Sequence, residues 1–196
     1  NSINPINPYG STKVSIEMML SDLYQSKIDE WKMISLRYFN PIGSHPSGLI
    51  GENPFGKPNN IFPIITGVAS GRYKKLSIFG NDWDTPDGTG IRDYIHVVDL
   101  AEGHVSALEH LFKNKSKNMN LNLGTGKGTS VLELIRTFEK VNNVKVPFDY
   151  VERRKGDLSR VVANNEQAIN LLGWYPKRSL EDMCKDGWRS ELKREK

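Results

Sequence analysis

Residues 78–108, "IFGNDWDTPDGTGIRDYIHVVDLAEGHVSAL", decide how the rest of the chain is read. Their first residues close a short apolar strand, "KLSIFG". "NDWDTPDGTG" (81–90) then crowds Asn, Asp, Thr, Pro and Gly together, the residues that set or tolerate turn backbone angles. "IRDYIHV" reads as a strand or bend, and "DLAEGHVSALEHLF" (99–112) as an amphipathic helix. Strand, acidic turn, strand and helix in such close succession indicate an α/β protein.

The flanks continue that alternation. Before the segment, apolar residues at 16, 19, 20, 23 and 24 predict a helix from Thr12 to about Lys27. "WKMISLRYF" (31–39) predicts a buried strand and "IFPIITGVASG" (61–71) a helix. Between them, residues 41–60 hold four Pro and four Gly and predict a long loop without regular elements, a length that in compact domains usually serves a function. After the segment come a strand at 118–124 and a helix opened by the capping box of Ser130 and Glu133. "VPFDYV" is a strand, a short helix at 165–172 ends at Gly173, and Ser179 with Asp182 caps the last helix. Neither an internal repeat nor a low-complexity tract interrupts the series.

Composition excludes several classes. With 196 residues, 37% hydrophobic, the chain can bury one substantial core or a larger domain plus part of another. Four Trp, seven Tyr and seven Phe argue against disorder. The net charge of +4 is spread rather than gathered into a stripe, which argues against nucleic-acid binding. No apolar run approaches the ~20 residues of a membrane helix, so no membrane partner is expected. Cys184 is the only cysteine, which excludes an intrachain disulfide and fits a reducing, cytoplasmic setting. "NKS" (114–116) matches a glycosylation sequon of a kind that recurs by chance.

Chemistry is hinted at near the start, where "NPYGSTK" puts Tyr9 and Lys13 at i, i+4 spacing on one helical face. Holding a free tyrosine as phenolate at pH 7 costs about 4 kcal/mol, and a nearby cation lowers that cost, so such a pair can serve as a general base. On spacing alone, a half-buried tyrosine beside a solvated lysine is the commoner description, because Tyr and Lys four apart recur by chance. "GTGKGTS" (124–130) lies between a strand and a helix, as a dinucleotide fingerprint would. Its glycines at 124, 126 and 128 miss that spacing, and Lys127 is followed by Gly128 rather than Ser or Thr, which favours a structural turn. The four histidines show no metal-ligand spacing, and His96 reads as a structural polar residue, so no metal is expected.

"PYGSTK", "LRYFNPIGSHPSG", "PNNIFP", residues 78–108, "LNLGTGKGTSVLELI" and "RRKGD" come in an order that resembles the UDP-glucose 4-epimerases of the extended short-chain dehydrogenase/reductase family. The likeness runs from Pro8 to about Trp188. It implies the C-terminal part of a Rossmann-type doubly wound parallel sheet plus a smaller α/β substrate-binding domain. Residues 1–40 would be the last part of the NAD-binding domain and 41–196 mainly the UDP-sugar domain, with about 97–124 returning to the first. In that family a glycine-rich loop binds the NAD pyrophosphate well before the tyrosine, so the chain is expected to be a C-terminal part.

The resemblance also implies roles. Tyr9 and Lys13 would be catalytic and, with Phe39, would contact NAD. Asn40, Asn60, Ile61, Ser77, Ile78, Phe79, Arg92, Tyr94, Arg154 and Asp157 would bind the UDP-sugar, with Arg92 and Arg154 on the diphosphate and Phe79 beside the uracil. Arginine suits a diphosphate because its planar fork bonds two oxygens at once. By residue type alone, Phe39 ends a strand, Asn40 starts a turn before Pro41, Phe79 is a strand-end aromatic, and Asp157 pairs with an arginine. Arg153 and Lys155 match no family role and read as surface charge. Val161 stands where the family varies. A small residue there goes with tolerance of N-acetylated UDP-hexosamines, whereas a plain strand residue in "RVVA" is the other reading. The resemblance further implies a homodimer. Its rivals are a non-catalytic UDP-sugar-binding chain and another NAD-dependent nucleotide-sugar enzyme, a dehydratase or decarboxylase.

Overall fold

A computed structural model describes residues 5, 7–28, 30–53, 56, 58–115 and 117–194. Ser116 of the sequon and three residues of the 41–60 loop lie outside them.

Helix α1 spans Pro8–Ser26, four residues longer at its start than the apolar pattern predicts, because Asn7 and Pro8 make a strong opening. The Asn7 side-chain oxygen accepts from the Gly10 N–H at 2.8 Å, and Pro8 occupies the first turn, where a missing N–H costs nothing. Strand β1 (Lys32–Tyr38) follows, then β2 (Asn40–Ile42). The second of these corrects the expectation of a featureless 41–60: Pro41 is tolerated in a three-residue strand that pairs in parallel with residues Tyr94–His96.

Helix α2 (Ile61–Ala69) leads to β3 (Leu76–Phe79), and "IRDYIHV" splits into β4 (Ile91–Arg92) and β5 (Tyr94–His96). Helix α3 (Val97–Lys113), β6 (Lys117–Leu123), β7 (Thr129–Ser130), α4 (Val131–Asn142), β8 (Phe148–Val151), β9 (Arg160–Val161), α5 (Glu166–Leu172) and α6 (Leu180–Arg194) complete the order. The Ser130–Glu133 capping box forms in full, and Gly173 caps α5 with φ +62°. Ser179 Oγ accepts from the Asp182 N–H at 3.1 Å, and Asp182 accepts from the Ser179 N–H at 2.9 Å.

The protein is α/β, with parallel pairs β1–β6, β2–β5 and β3–β8 and a mixed sheet β7–β4–β9. Two apolar cores hold it together. One gathers Ile95, Leu100, Leu121, Leu123, Ala168 and Trp174, with Ile34 and Leu36 of β1 packed against it. The other joins α2, β3, α4 and α6 through residues such as Phe62, Ile65, Ile78, Phe138 and Met183. In α1 no residue is buried, and Ile16, Met18, Met19 and Leu23 are exposed, so part of the predicted apolar stripe faces away from both cores. The helix is held instead through Glu17, which accepts from Arg37 on β1 (2.7 Å from Nε) and from Asn120 on β6 (3.3 Å). No helix of the described residues is long and apolar enough to cross a membrane.

Candidate functional site

The β3 alternation buries Leu76 and Ile78 and turns Ser77 and Phe79 outward. The same alternation puts Arg92 and Tyr94 on one side of the β4–β5 segment and Asp93 on the other. Asp93 is fully buried, and its two oxygens are saturated. Oδ1 accepts from the Thr125 N–H at 2.8 Å and its hydroxyl at 2.6 Å, and Oδ2 from the N–H groups of Gly126 at 2.9 Å and Ala163 at 3.2 Å. The glycine-rich turn is therefore structural, with its Thr125 and Gly126 N–H groups committed to Asp93. The Asp93 carbonyl in turn accepts from the Asn40 side chain at 3.1 Å, which fixes that amide beside Tyr94.

On the Asn40 and Tyr94 side of this scaffold lies a cleft of about 940 Å³. It brings together Asn40, Asn60, Ile61, Ser77, Ile78, Phe79, Arg92, Tyr94, Arg154 and Asp157 from β2, the start of α2, β3, β4, β5 and the loop after β8. Helix α2 opens at the cleft without an acidic first turn or a side-chain cap, which favours an anion near its N-terminus. Asn60 instead donates to Glu52 at 3.2 Å. Arg92 donates to the Leu158 carbonyl at 2.8 Å and faces Asp157 at 3.7 Å, so Asp157 does have an arginine partner. The Arg154 guanidinium lies 3.8 Å over the Phe79 ring, a cation–π stack. Burial pushes the Tyr94 phenol above its ordinary value, keeping its hydroxyl protonated.

Four of the expected residues lie outside the cleft lining. Tyr9 is 72% exposed on α1, with the Lys13 ammonium 5.1 Å from its ring centroid. Phe39 is half-buried between β1 and β2, its N–H donating to the Leu123 carbonyl at 3.2 Å. Val161 is half-buried on β9, in register with Arg92.

Sequence reasoning missed other lining residues, among them Trp83, Arg72, Lys74 and Lys75. The one aromatic in an otherwise polar turn was the available signal for Trp83. Arg72 is held at the rim by buried Glu191. Arg153 is not the plain surface charge expected of it: it stacks on Trp83 at 4.1 Å and bonds Asp82 at 2.8 Å. Within "DTPDGTG", Asp87 accepts from the Thr89 N–H at 2.9 Å and from the Ser130 hydroxyl, tying the turn to the start of α4. Burial opposes the charge on Asp87, yet the Ser130 and Thr89 hydrogen bonds outweigh it and hold the carboxyl below its usual range. Among the described residues no group of three or more His, Cys, Asp and Glu could hold a metal ion.

A family model described as GDP-mannose 4,6 dehydratase matches residues 1–187. The UDP-glucose 4-epimerase of Bacillus subtilis (strain 168) is 53% identical over 183 residues, which are 93% of this chain and 53% of that protein. A crystal structure of UDP-glucose-4-epimerase from Stenotrophomonas maltophila, with bound NAD and formylated UDP-arabinopyranose, superposes with a TM-score of 0.92 at 46% identity, covering 96% of this chain and 56% of that one. The UDP-glucose 4-epimerase of Bifidobacterium longum in complex with NAD+ and UDP gives a TM-score of 0.91 at 43% identity, over 95% and 55% of the two chains. The chain thus spans about half the length of the curated relatives it matches.

Proposed function

The chain belongs to the GDP-mannose 4,6 dehydratase family, and from that premise we propose that it supplies the substrate site and the catalytic pair of an NAD-dependent UDP-sugar 4-epimerase, interconverting UDP-galactose and UDP-glucose through a 4-keto sugar. The observation that carries the reading is the cleft, where two arginine forks, an aromatic face and several amide and hydroxyl groups converge. Those are the groups a diphosphate, a uracil and a sugar require. Identity of about half to proteins named UDP-glucose 4-epimerase favours this activity over a dehydratase or decarboxylase.

In this reading Arg92 and Arg154 grip the diphosphate, while the Phe79 ring and the backbone of Ser77 and Ile78 hold the base. Asn40, Asn60, Ile61, Tyr94 and Asp157 complete the grip on the substrate. Tyr9 takes the proton of the sugar 4-hydroxyl and returns it after the 4-keto sugar has turned its other face. Lys13 steadies the phenolate and, with Phe39, would hold the bound NAD. These residues suit their roles, since Tyr9 is open to solvent and Lys13 enters no ion pair among the described residues. When bound, NAD supplies a reversible oxidation at the sugar carbon and is restored in each cycle.

Further parts of the proposal have their own support. The core of β1, α3 and β6 supports grouping residues 1–40 and 97–124 in the NAD-binding domain, although Ile95, Ala168 and Trp174 pack into that core too, and the core of α2, β3, α4 and α6 supports a substrate domain from the rest. The exposed Ile16, Met18, Met19 and Leu23 of α1 support a homodimer, and the lone buried Cys184 supports a cytoplasmic setting. Val161 supports acceptance of N-acetylated UDP-hexosamines, which brisk turnover of UDP-N-acetylgalactosamine by the full-length protein would bear out and negligible turnover would refute. A second reading, UDP-sugar binding without catalysis, is favoured by one feature: neither Tyr9 nor Lys13 lines the cleft.

Proton NMR of UDP-galactose incubated with the full-length protein and NAD separates the two. The anomeric signal of UDP-glucose should grow in, and should fail to do so with Tyr9→Phe. UDP binding without conversion would leave only the second reading.

A further inference from the structure

The loop from Val151 to Leu158 carries Arg154 and Asp157, and every one of its residues is exposed. Its backbone is tied at both ends. At the far end the Ile91 N–H donates to the Ser159 carbonyl at 2.8 Å, and Arg92 donates to Leu158. At the near end the Gly80 N–H donates to the Val151 carbonyl at 2.8 Å.

At the far end the Arg92 side chain also faces Asp157 at 3.7 Å, and at the near end two stacked pairs of side chains add a second fastening. The Trp83 indole N–H donates to the Phe79 carbonyl at 3.1 Å, fixing the ring beside the end of β3. The Arg153 guanidinium lies over that ring, and its Nε donates to Asp82 Oδ1 at 2.8 Å. The next residue, Arg154, stacks on Phe79. Two consecutive arginines thus lie on two aromatics, Phe79 at the end of β3 and Trp83 in the turn after it. Gly80 makes room for the arrangement: at φ +84°, an added Cβ would meet Trp83 Nε1 at 2.5 Å and Arg153 Cγ at 2.9 Å.

We propose that Trp83 and Arg153 are positioning residues, which hold Arg154 poised at the cleft before a nucleotide arrives. The inference rests on the UDP-sugar reading of that cleft and extends it to Trp83, which borders the cleft, and to Arg153, which lies outside its lining. An exposed loop would otherwise have to order its arginine during binding, at the expense of affinity. With the Arg153–Trp83 stack in place that ordering is already done. The effect falls on binding and leaves the chemical step alone.

Calorimetric titration of UDP into the full-length protein tests this. Trp83→Leu should weaken UDP by about fivefold, the size of one exposed cation–π contact, and Trp83→Phe should recover most of the loss. Arg153→Ala, at a solvent-facing side chain, should match Trp83→Leu and guards against a folding artefact. In turnover the same variants should raise KM with kcat unchanged. The deciding arm is the pair: in an Arg154→Ala background, Trp83→Leu should cost nothing further, because the route runs through Arg154. Unaltered affinity in both Trp83→Leu and Arg153→Ala, or the same loss with Arg154 already removed, would overturn the inference while leaving the UDP site standing. Failure of the unaltered protein to bind UDP would bring down the UDP-sugar reading itself.

Discussion

Arg92 faces Asp157 across 3.7 Å and, with another nitrogen of the same fork, holds the Leu158 carbonyl at 2.8 Å. One side chain therefore joins β4 to the loop that carries Arg154 and Asp157 and also presents a cation to the cleft. Arg92→Ala should weaken UDP binding by roughly 10- to 100-fold, the range of one or two charge-assisted hydrogen bonds. Arg92→Lys should restore little of it, because an ammonium cannot span two oxygens and hold the loop together. Near-normal calorimetric affinity in Arg92→Lys would show that bulk charge, and not the fork, is what matters.

Tyr9→Phe should lower kcat by roughly 10²- to 10⁴-fold, the usual worth of a positioned general base. UDP affinity should hardly change, since Tyr9 lies outside the cleft lining. The melting temperature should also hold, because the side chain is 72% exposed and packs little. A variant that kept its turnover would remove Tyr9 from the mechanism.

Asp93→Asn tests the scaffold. Both carboxylate oxygens are surrounded by donors, with Thr125 on one side and Gly126 and Ala163 on the other. Whichever way an amide is turned, its NH₂ meets donors and leaves them unpaired in a buried site. A loss on the order of 3 kcal/mol of folding stability is expected in denaturant titration. Because the Asp93 carbonyl also holds Asn40, UDP affinity should fall with it. Unchanged stability would mean that the turn has another anchor.

His96 should make stability depend on pH. Its Nδ1 accepts from the Val98 N–H at 3.0 Å, so Nε2 carries the hydrogen and donates to Asp186 at 3.3 Å. Burial lowers its pKa below the ordinary 6.5; the Asp186 hydrogen bond opposes this, Arg178 adds to the lowering, and Asp99 opposes it weakly. With the folded value below the unfolded one, the stabilisation is complete above about pH 6.5 and is lost as pH falls from there through the folded value. Thermal melts between pH 7.5 and 5 should show this decline, and His96→Asn should flatten it, since an asparagine oxygen can still cap α3. Parallel curves for the two proteins would assign the decline to other groups.

Much of this was legible in the chain because local signals agreed. The Ser130–Glu133 box, the Gly173 stop and the Ser179–Asp182 cap each act over a few residues and formed as read. The order of motifs, rather than any one of them, pointed to ten residues that the fold gathers at one cleft. What escaped was non-local. Nothing in "RRKGD" says that Arg153 will find Trp83 some seventy residues away. The strand at Asn40–Ile42 forms despite Pro41 and the Pro- and Gly-rich stretch that follows, because β5 offers a parallel partner. Periodicity marked Ile16, Met19 and Leu23 as apolar but could not say that α1 would turn them away from both cores.

The most direct measurement is a crystal structure of the full-length protein with NAD and UDP-glucose. The expected result is the uracil against Phe79, the diphosphate between Arg92 and Arg154, and the sugar 4-hydroxyl within hydrogen-bond reach of Tyr9. A nucleotide bound away from this cleft, or a sugar that Tyr9 cannot approach, would contradict it.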